Sequence, residues 1–131
     1  MRYLGIDYGN RKVGLAISDE MGSFAFPLKV LKNTASLVEE IKKICVEEKI
    51  EKIIVGESVD LSGEANPIQK EILEFKEKIE LASRLEVILE KEFFTSREAK
   101  RLIDEKQTDP LTDARAAALI LKSFLDKNNG K

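Results

Sequence analysis

Asp7 stands at the end of a strand-like run, immediately before a turn that contains Gly9 and Asn10. A carboxylate buried in a strand without a partner is costly, so this position predicts that Asp7 emerges at the rim of a sheet. There it would be available for acid, base or metal chemistry. The structural alternative is that Asp7 only accepts backbone hydrogen bonds in the turn, as Asp residues often do.

The residue types that are missing narrow the chemistry further. The 131 residues include no histidine and one cysteine, Cys45. This composition excludes disulfides within the chain, zinc sites made of Cys and His, and mechanisms that need an imidazole base. Carboxylates, hydroxyls, lysines and backbone groups remain, and oxygen-rich ligand sets of this kind suit Mg²⁺ or Mn²⁺.

Charge limits the partners of the chain. Its net charge of −2 means that any binding of nucleic acid must be local or weak, because such affinity comes from Lys and Arg that neutralise phosphates. Arg11 and Lys12 follow Asp7 closely and can hold phosphate oxygens near it. The alternative is that they are ordinary solvated charges of a turn.

Length and hydropathy predict a single domain over residues 1–131 that does not enter a membrane. No apolar run approaches the roughly 18 residues that span a bilayer, and the composition of 43% apolar and 35% charged residues is typical of a soluble globular protein. The first residues lack the pattern of a signal peptide, so we expect a cytoplasmic location.

Five segments have the pattern of β-strands, with β-branched and aromatic residues in alternation or in short runs. The first three are joined by short turns and therefore predict an antiparallel meander. Pro27 predicts that the third strand lies at the edge of the sheet. The five segments are Tyr3–Asp7, Val13–Ser18, Phe24–Leu31, Lys52–Gly56 and Glu86–Leu89.

Helices are predicted between and after the later strands. Capping-box patterns begin at Ser36 and Thr95, and Asp109 with Pro110 forms a plausible start for the last helix, which runs to about Leu125. Asp113 lies on the same helical face as Asp109, where the helix dipole favours acids. The order βββαβαβα predicts an α/β fold with a mixed five-stranded sheet and helices on both faces.

Helical spacing also predicts which residues of the first two helices are buried. In the helix that follows Ser36, the spacing places Cys45 in the core and argues against a redox role. A second amphipathic helix follows the fourth strand. The apolar positions are Leu37, Ile41, Ile44 and Cys45 in the first helix, and Ile68, Ile72, Phe75 and Ile79 in the second.

Four segments resemble the motifs of the YqgF/RuvX-like family of the ribonuclease H superfamily, described as pre-16S ribosomal RNA nucleases and Holliday junction resolvase-like proteins. The resemblance covers nearly the whole chain. It implies a ribonuclease-H-like fold and metal-dependent cleavage of phosphodiester bonds in structured nucleic acid, either ribosomal RNA precursor or a DNA junction, with ribosomal particles as further partners. The segments are Gly5–Asn10, Lys52–Gly56 with a following loop that contains Gly63, Glu92–Ser96 and Asp113–Ala117.

The resemblance also implies the site residues. The acids of three family motifs are metal ligands, and they correspond here to Asp7, Glu92 and Asp113, which we expect to be the catalytic carboxylates and to bind Mg²⁺ or Mn²⁺. The chain departs from the family around Glu92, because Lys91 and Phe93 stand where the family has Asp and Arg.

A second departure is Glu57, which follows Gly56 where the family has an apolar residue and then a proline. If the fourth strand pairs beside the first, as a ribonuclease-H-like sheet implies, Glu57 stands next to Asp7. We therefore predict that its side chain faces Asp7 and adds a ligand to the metal site. The alternative is a solvated loop carboxylate, since Glu is commonly exposed.

Two other functional classes remain open. Gly5, Asp7 and Gly9 also have the spacing of the first phosphate motif of actin-like proteins and sugar kinases, but those proteins need a second lobe and this chain is short for two. A non-catalytic module for ribosome assembly or nucleic-acid binding is compatible with the altered motif around Glu92. The sequence does not decide between RNA and DNA, or between a monomer and a homodimer.

Overall fold

The computed structural model describes residues 1–58, 67–92 and 111–128 of the chain. In these ranges the elements follow the order predicted from the sequence. The predicted second capping box at Thr95 and the predicted N-cap at Asp109 lie outside the described residues. The elements are β1 (Tyr3–Tyr8), β2 (Lys12–Ser18), β3 (Ala25–Lys32), α1 (Leu37–Glu47), β4 (Lys52–Ser58), α2 (Pro67–Ser83), β5 (Glu86–Glu92) and α3 (Thr112–Asn128).

The five strands form one mixed sheet in the order β3-β2-β1-β4-β5. The pairs β1–β2 and β2–β3 are antiparallel, whereas β1–β4 and β4–β5 are parallel. The predicted meander and the predicted pairing of the fourth strand beside the first are therefore confirmed. Pro27 lies in the edge strand β3, opposite Ala16 and next to a bulge, where its missing N–H is tolerated.

Helices cover both faces of the sheet. α1 and α2 pack on one face and α3 packs on the other. None of the described helices is long and apolar enough to cross a membrane. The core on the α1 and α2 face includes Leu4, Ile6, Val13, Leu15, Ile41, Ile53, Val55, Ile72 and Ile79, and the core on the α3 face includes Ala16, Ile54, Ala117, Ile120, Leu121 and Phe124.

The turn between β2 and β3 is held by Asp19. Its Oδ1 accepts backbone hydrogen bonds from Ser23 (2.7 Å) and Phe24 (3.0 Å), and these bonds, that from Phe24 foremost, hold the pKa of Asp19 below its ordinary value. Gly22 has φ of +68°, a conformation that strains residues with a side chain. The side chain of Asp19 therefore directs β3 back along β2.

The start of α1 differs from the predicted capping box. Ser36 occupies the N-cap position, but its side chain makes no capping hydrogen bond. Its hydroxyl lies 2.9 Å from the hydroxyl of Thr34, which offers a nearer partner than the backbone of the first turn. The helix boundary was predicted correctly, and the reciprocal Ser36–Glu39 contact was not.

Cys45 is buried in α1, as predicted, and is 5% exposed. It belongs to the same core as Leu37, Ile41 and Ile44. Burial disfavours the thiolate and raises the pKa of Cys45 to about 11. The side chain therefore behaves as a small apolar core residue.

Candidate active site at the carboxyl end of the sheet

Asp7 is the next-to-last residue of β1, and its half-buried side chain lies on the α3 face of the sheet. The face follows from strand alternation. Leu4 and Ile6 belong to the α1 and α2 core, whereas a Cβ on Gly5 would meet Leu121 of α3 at 2.8 Å. Asp7 has the same parity as Gly5 and therefore points towards α3.

Gly14 brings the start of α3 directly over β2, beside the end of β1. It pairs with Asp7 across the β1–β2 ladder, so the two residues share a face. A Cβ on Gly14 would overlap the backbone carbonyl of Asp113, which leaves no room for any other residue at this position. Asp113 is half-buried in the first turn of α3, and its backbone is thereby held over the strand that neighbours Asp7.

Two more glycines allow α3 to approach the sheet closely. Gly5 in β1 lies beneath Ala117 and Leu121, and Gly56 in β4 lies beneath the side chain of Ile120. With Gly14, these residues lie on the α3 face of three adjacent strands, and we call the three glycines the glycine row. The row fixes the height of α3, and so of Asp113, above the strand ends.

Glu92 is the last residue of β5 and lies at the same end of the sheet as Asp7. Its backbone pairs with Ser58 of β4. One strand, β4, separates β5 from β1, so the backbones of β1 and β5 are roughly 10 Å apart, or two strand spacings. The side chain of Glu92 lies outside the described part of the structure.

Glu57 does not face Asp7, and the predicted orientation is wrong. Ile53 and Val55 belong to the α1 and α2 core, and Glu57 continues their alternation on that face. There its Oε1 accepts a hydrogen bond from Gln69 of α2. The pairing of β4 beside β1 was predicted correctly, but Asp7 and Glu57 extend from opposite faces of the sheet.

Basic side chains surround the turn that follows Asp7. Arg11 lies in the turn and Lys12 begins β2, and both are exposed. Asn33 fixes this turn, because its N–H donates to the carbonyl of Arg11 (2.9 Å) and its Nδ2 donates to the carbonyl of Gly9 (2.8 Å). Neither Gly9 nor Asn10 has a positive φ, so backbone conformation does not require a glycine in this turn. Gly9 is required for space, because a Cβ there would lie 2.6 Å from the carbonyl oxygen of Lys12.

Sequence reasoning missed a buried acid, Glu90, which is 6% exposed. It lies in β5 on the α3 face and accepts hydrogen bonds from the hydroxyl of Ser123 (2.9 Å) and from Nζ of Lys127 (2.8 Å). The apolar residues Val87–Leu89 that precede Glu90 in the sequence do not indicate that its carboxylate binds Ser123 and Lys127. Its two partners lie in the second half of α3, far from Asp113, so Glu90 joins β5 to that half of the helix.

The donor set at this end of the sheet fits a hard divalent cation. Asp7 and Asp113 offer carboxylate oxygens, which Mg²⁺ and Mn²⁺ prefer, and the glycine row allows the two backbones to approach. Among the side chains that the structure describes, no three His, Cys, Asp or Glu residues are grouped to hold a metal. The side chain of Glu92, the third acid expected from the sequence, is not among them.

Solved structures show the same fold. Thermus thermophilus RuvC in complex with a Holliday junction substrate is 16% identical, with a TM-score of 0.63, over 99% of this chain and 97% of that one. The fowlpox virus Holliday junction resolvase is 15% identical, with a TM-score of 0.58, over 98% of this chain and 99% of that one. At these identities the likeness concerns the ribonuclease-H-like fold alone.

Sequence relatives are closer. Proteins named "Putative pre-16S rRNA nuclease" from Thermoanaerobacter pseudethanolicus and Dictyoglomus turgidum are 33% and 35% identical. The first match covers all of both chains, and the second covers 96% of this chain and 94% of the relative. The model of the RuvX family, described as Holliday junction resolvase, matches residues 1–127. The family resemblance read from the motifs is thus confirmed: the chain belongs to the RuvX family.

Proposed function

We propose that this chain is a metal-dependent endonuclease that hydrolyses phosphodiester bonds in structured nucleic acid. One observation carries the proposal: Gly14, opposite Asp7 in the sheet, leaves no space between itself and the backbone of Asp113. This contact brings the backbone of Asp113 over the strand next to Asp7, so two acids from opposite ends of the sequence lie at one rim of the sheet. It supports the proposal that both carboxylates serve the same cation.

In this proposal Asp7, Glu92 and Asp113 hold Mg²⁺ or Mn²⁺. A divalent cation bound there would activate a water molecule and stabilise charge on the leaving oxygen. The carboxylates of Asp7 and Asp113 serve as acceptors, and their half-burial limits competition from bulk water. Glu57 is not part of the proposed set, because its carboxylate extends from the other face and accepts a hydrogen bond from Gln69.

The basic side chains beside the turn have a separate role. Arg11 and Lys12 extend into solvent next to the end of β1, where they can contact phosphate oxygens of a bound strand. Cations placed locally in this way reconcile nucleic-acid binding with a net charge of −2. The two bonds from Asn33 hold the turn in place before substrate arrives.

We propose the precursor of 16S ribosomal RNA, at its 5′ end, as the substrate, with processing in the cytoplasm on free or particle-bound precursor. The names of relatives at 32–35% identity support this choice. The second candidate is a four-way DNA junction, which the description of the family model supports. A cation held by carboxylates contacts the phosphodiester and does not itself distinguish RNA from DNA.

The test is a cleavage assay with purified protein, labelled 16S precursor RNA and a labelled four-way DNA junction. Each substrate is incubated with Mn²⁺, with Mg²⁺ and with EDTA. We expect cleavage of the RNA that EDTA abolishes, and the relative rates on the two substrates decide between them. Asp7→Asn and Asp113→Asn should abolish cleavage while leaving the circular dichroism spectrum unchanged.

Asp126→Asn is the matched control, because Asp126 is an exposed acid near the far end of α3. It should cleave at the wild-type rate. A folded wild-type protein that binds the RNA but cleaves neither substrate with any of the metals would contradict the nuclease and favour a non-catalytic binding module. Cleavage that resists EDTA would contradict the role of the cation.

A further inference from the structure

Lys12 and Lys32 lie directly opposite each other at the ends of β2 and β3. Both are exposed. Side chains at directly paired positions start about 4.5–5.5 Å apart, and like charges there destabilise a sheet. Within residues 1–58, 67–92 and 111–128, neither lysine is within ion-pair distance of an acid. Among the residues that the structure describes, these two cations thus lie side by side without an acidic partner, and we call them the lysine pair.

The lysine pair shares a face with the candidate active site. Lys12 lies two residues from Gly14 on β2, so it points to the α3 face as Gly14 does. Lys32 pairs with Lys12 and takes the same face. Asp7 pairs with Gly14, which makes Lys12 its diagonal neighbour, at about 7–8 Å.

The position of the lysine pair is fixed by the structure around it. Asn33 follows Lys32 directly and donates two hydrogen bonds to the turn that precedes Lys12, at the carbonyls of Arg11 and Gly9. These bonds join the end of β3 to the beginning of β2. The backbone positions of the two lysines are therefore preorganised, which lowers the entropic cost of binding an anion between their side chains.

We propose that the lysine pair binds a phosphate of the substrate strand next to the phosphodiester held at Asp7. The strand then runs from the end of β1 across β2 to the edge strand β3. Lys12 starts from a position diagonal to Asp7, about 7–8 Å away, so its long side chain can contact a phosphate that neighbours the one at Asp7. One phosphate that bridges Lys12 and Lys32 removes the repulsion between them. This inference rests on the proposed nuclease function and adds the direction in which the substrate leaves the site.

The test separates binding from cleavage. Affinity for fluorescein-labelled 16S precursor RNA is measured by anisotropy in EDTA at several KCl concentrations, for the wild type, Lys12→Gln, Lys32→Gln and the double variant. Loss of one phosphate contact should reduce the slope of log affinity against log salt by about 0.7–0.9. Each single variant should weaken binding, and the double variant should add little to the stronger single effect, since both lysines contact the same phosphate.

Lys29→Gln is the control. Lys29 is an exposed lysine of the same strand, but it pairs with Leu15, whose side chain belongs to the core on the opposite face. It should keep the wild-type slope. In cleavage assays with Mn²⁺, the double variant should raise KM and retain kcat. Its thermal midpoint should be equal to or above that of the wild type, because a repulsive pair has been removed.

Three results would overturn the inference: a wild-type salt slope in the double variant, an equal loss in Lys29→Gln, or a fall in kcat without a change in KM. These results are distinguishable from failure of the proposed function itself. If the nuclease proposal is wrong, the wild type does not cleave with Mn²⁺. If only the lysine pair is misassigned, the wild type cleaves and the double variant cleaves with the same KM.

Discussion

Gly14 lies directly beneath the backbone carbonyl of Asp113, with no space for a Cβ between them. Gly14→Ala must therefore push α3 away from β2. We expect a loss of stability of about 1–3 kcal/mol, typical of overpacking, and a large fall in cleavage because Asp113 moves relative to Asp7. Urea denaturation and the Mn²⁺-dependent assay measure the two effects.

Gly56→Ala is the comparison for this variant. Its added methyl group would meet the side chain of Ile120 rather than backbone, and a side chain can rotate. We expect a smaller loss of stability and nearly normal cleavage. Equal behaviour of the two variants would show that backbone contact at Gly14 does not position Asp113.

Elements were predictable from the sequence where one physical signal dominated. The apolar spacing of α1 and α2 and the β-branched runs of the strands gave their types and order. The face of Glu57 was not predictable in this way, because Ile53, Ile54 and Val55 are all buried and a strand covered on both faces shows no alternation. The face of Glu57 relative to Asp7 also depends on the register between β1 and β4, and the sequence does not contain that register.

The lysine pair was missed for a related reason. Pairing of Lys12 with Lys32 depends on the register of the β2–β3 hairpin, and that register shifts by a bulge between Leu15 and Ala16. A bulge inserts one residue and changes every pair beyond it. The number of residues between the turn and each pair is therefore known only from the structure. The hydroxyl contact between Thr34 and Ser36 likewise depends on chain geometry that a capping pattern does not contain.

Glu57→Gln should leave the Mn²⁺ concentration for half-maximal cleavage unchanged. Glu57 extends from the face opposite Asp7 and its partner there is Gln69, so removing its charge does not alter the proposed ligand set. The measurement is a Mn²⁺ titration of the cleavage rate for this variant and the wild type. A clear rise in the midpoint, with the fold intact, would place Glu57 in the metal site after all.

Glu90→Gln should destabilise the protein by about 1–3 kcal/mol, because a nearly buried carboxylate loses its charge-assisted bonds with Ser123 and Lys127. The matched control is Glu86→Gln on the same strand. The Glu86 side chain is 60% exposed, and its ion pair with Lys52 should contribute less than about 1 kcal/mol. Urea denaturation of both variants measures the two losses of stability. Equal midpoints would mean that Glu90 contributes no more to stability than an exposed acid does.

Cys45 should react slowly with thiol reagents in the folded protein. Burial raises its pKa to about 11, so the reactive thiolate is scarce at pH 8, and the side chain is 5% exposed. Modification should accelerate many-fold in denaturing urea. Rapid reaction of the native protein would contradict the buried position.

The same shift predicts a pH dependence of stability. The unfolded thiol loses its proton above about pH 9, whereas the folded thiol keeps its proton up to about pH 11. Its contribution to stability is therefore complete below pH 9 and is lost as the pH rises to 11. Cys45→Ala should show a smaller decline in unfolding free energy over this range than the wild type.

The glycine row constrains how the α3 face can be redesigned. At Ala16 or Ile54 a new side chain can be accommodated by repacking its neighbours, since cores tolerate exchange when volume is conserved. At Gly14 no smaller residue exists and no neighbouring side chain can yield, because the obstacle is backbone. A combinatorial library over this face, selected for cleavage, should therefore return glycine at position 14, like the proposed ligands Asp7 and Asp113, in nearly every survivor, while packing positions such as 16 and 54 diversify.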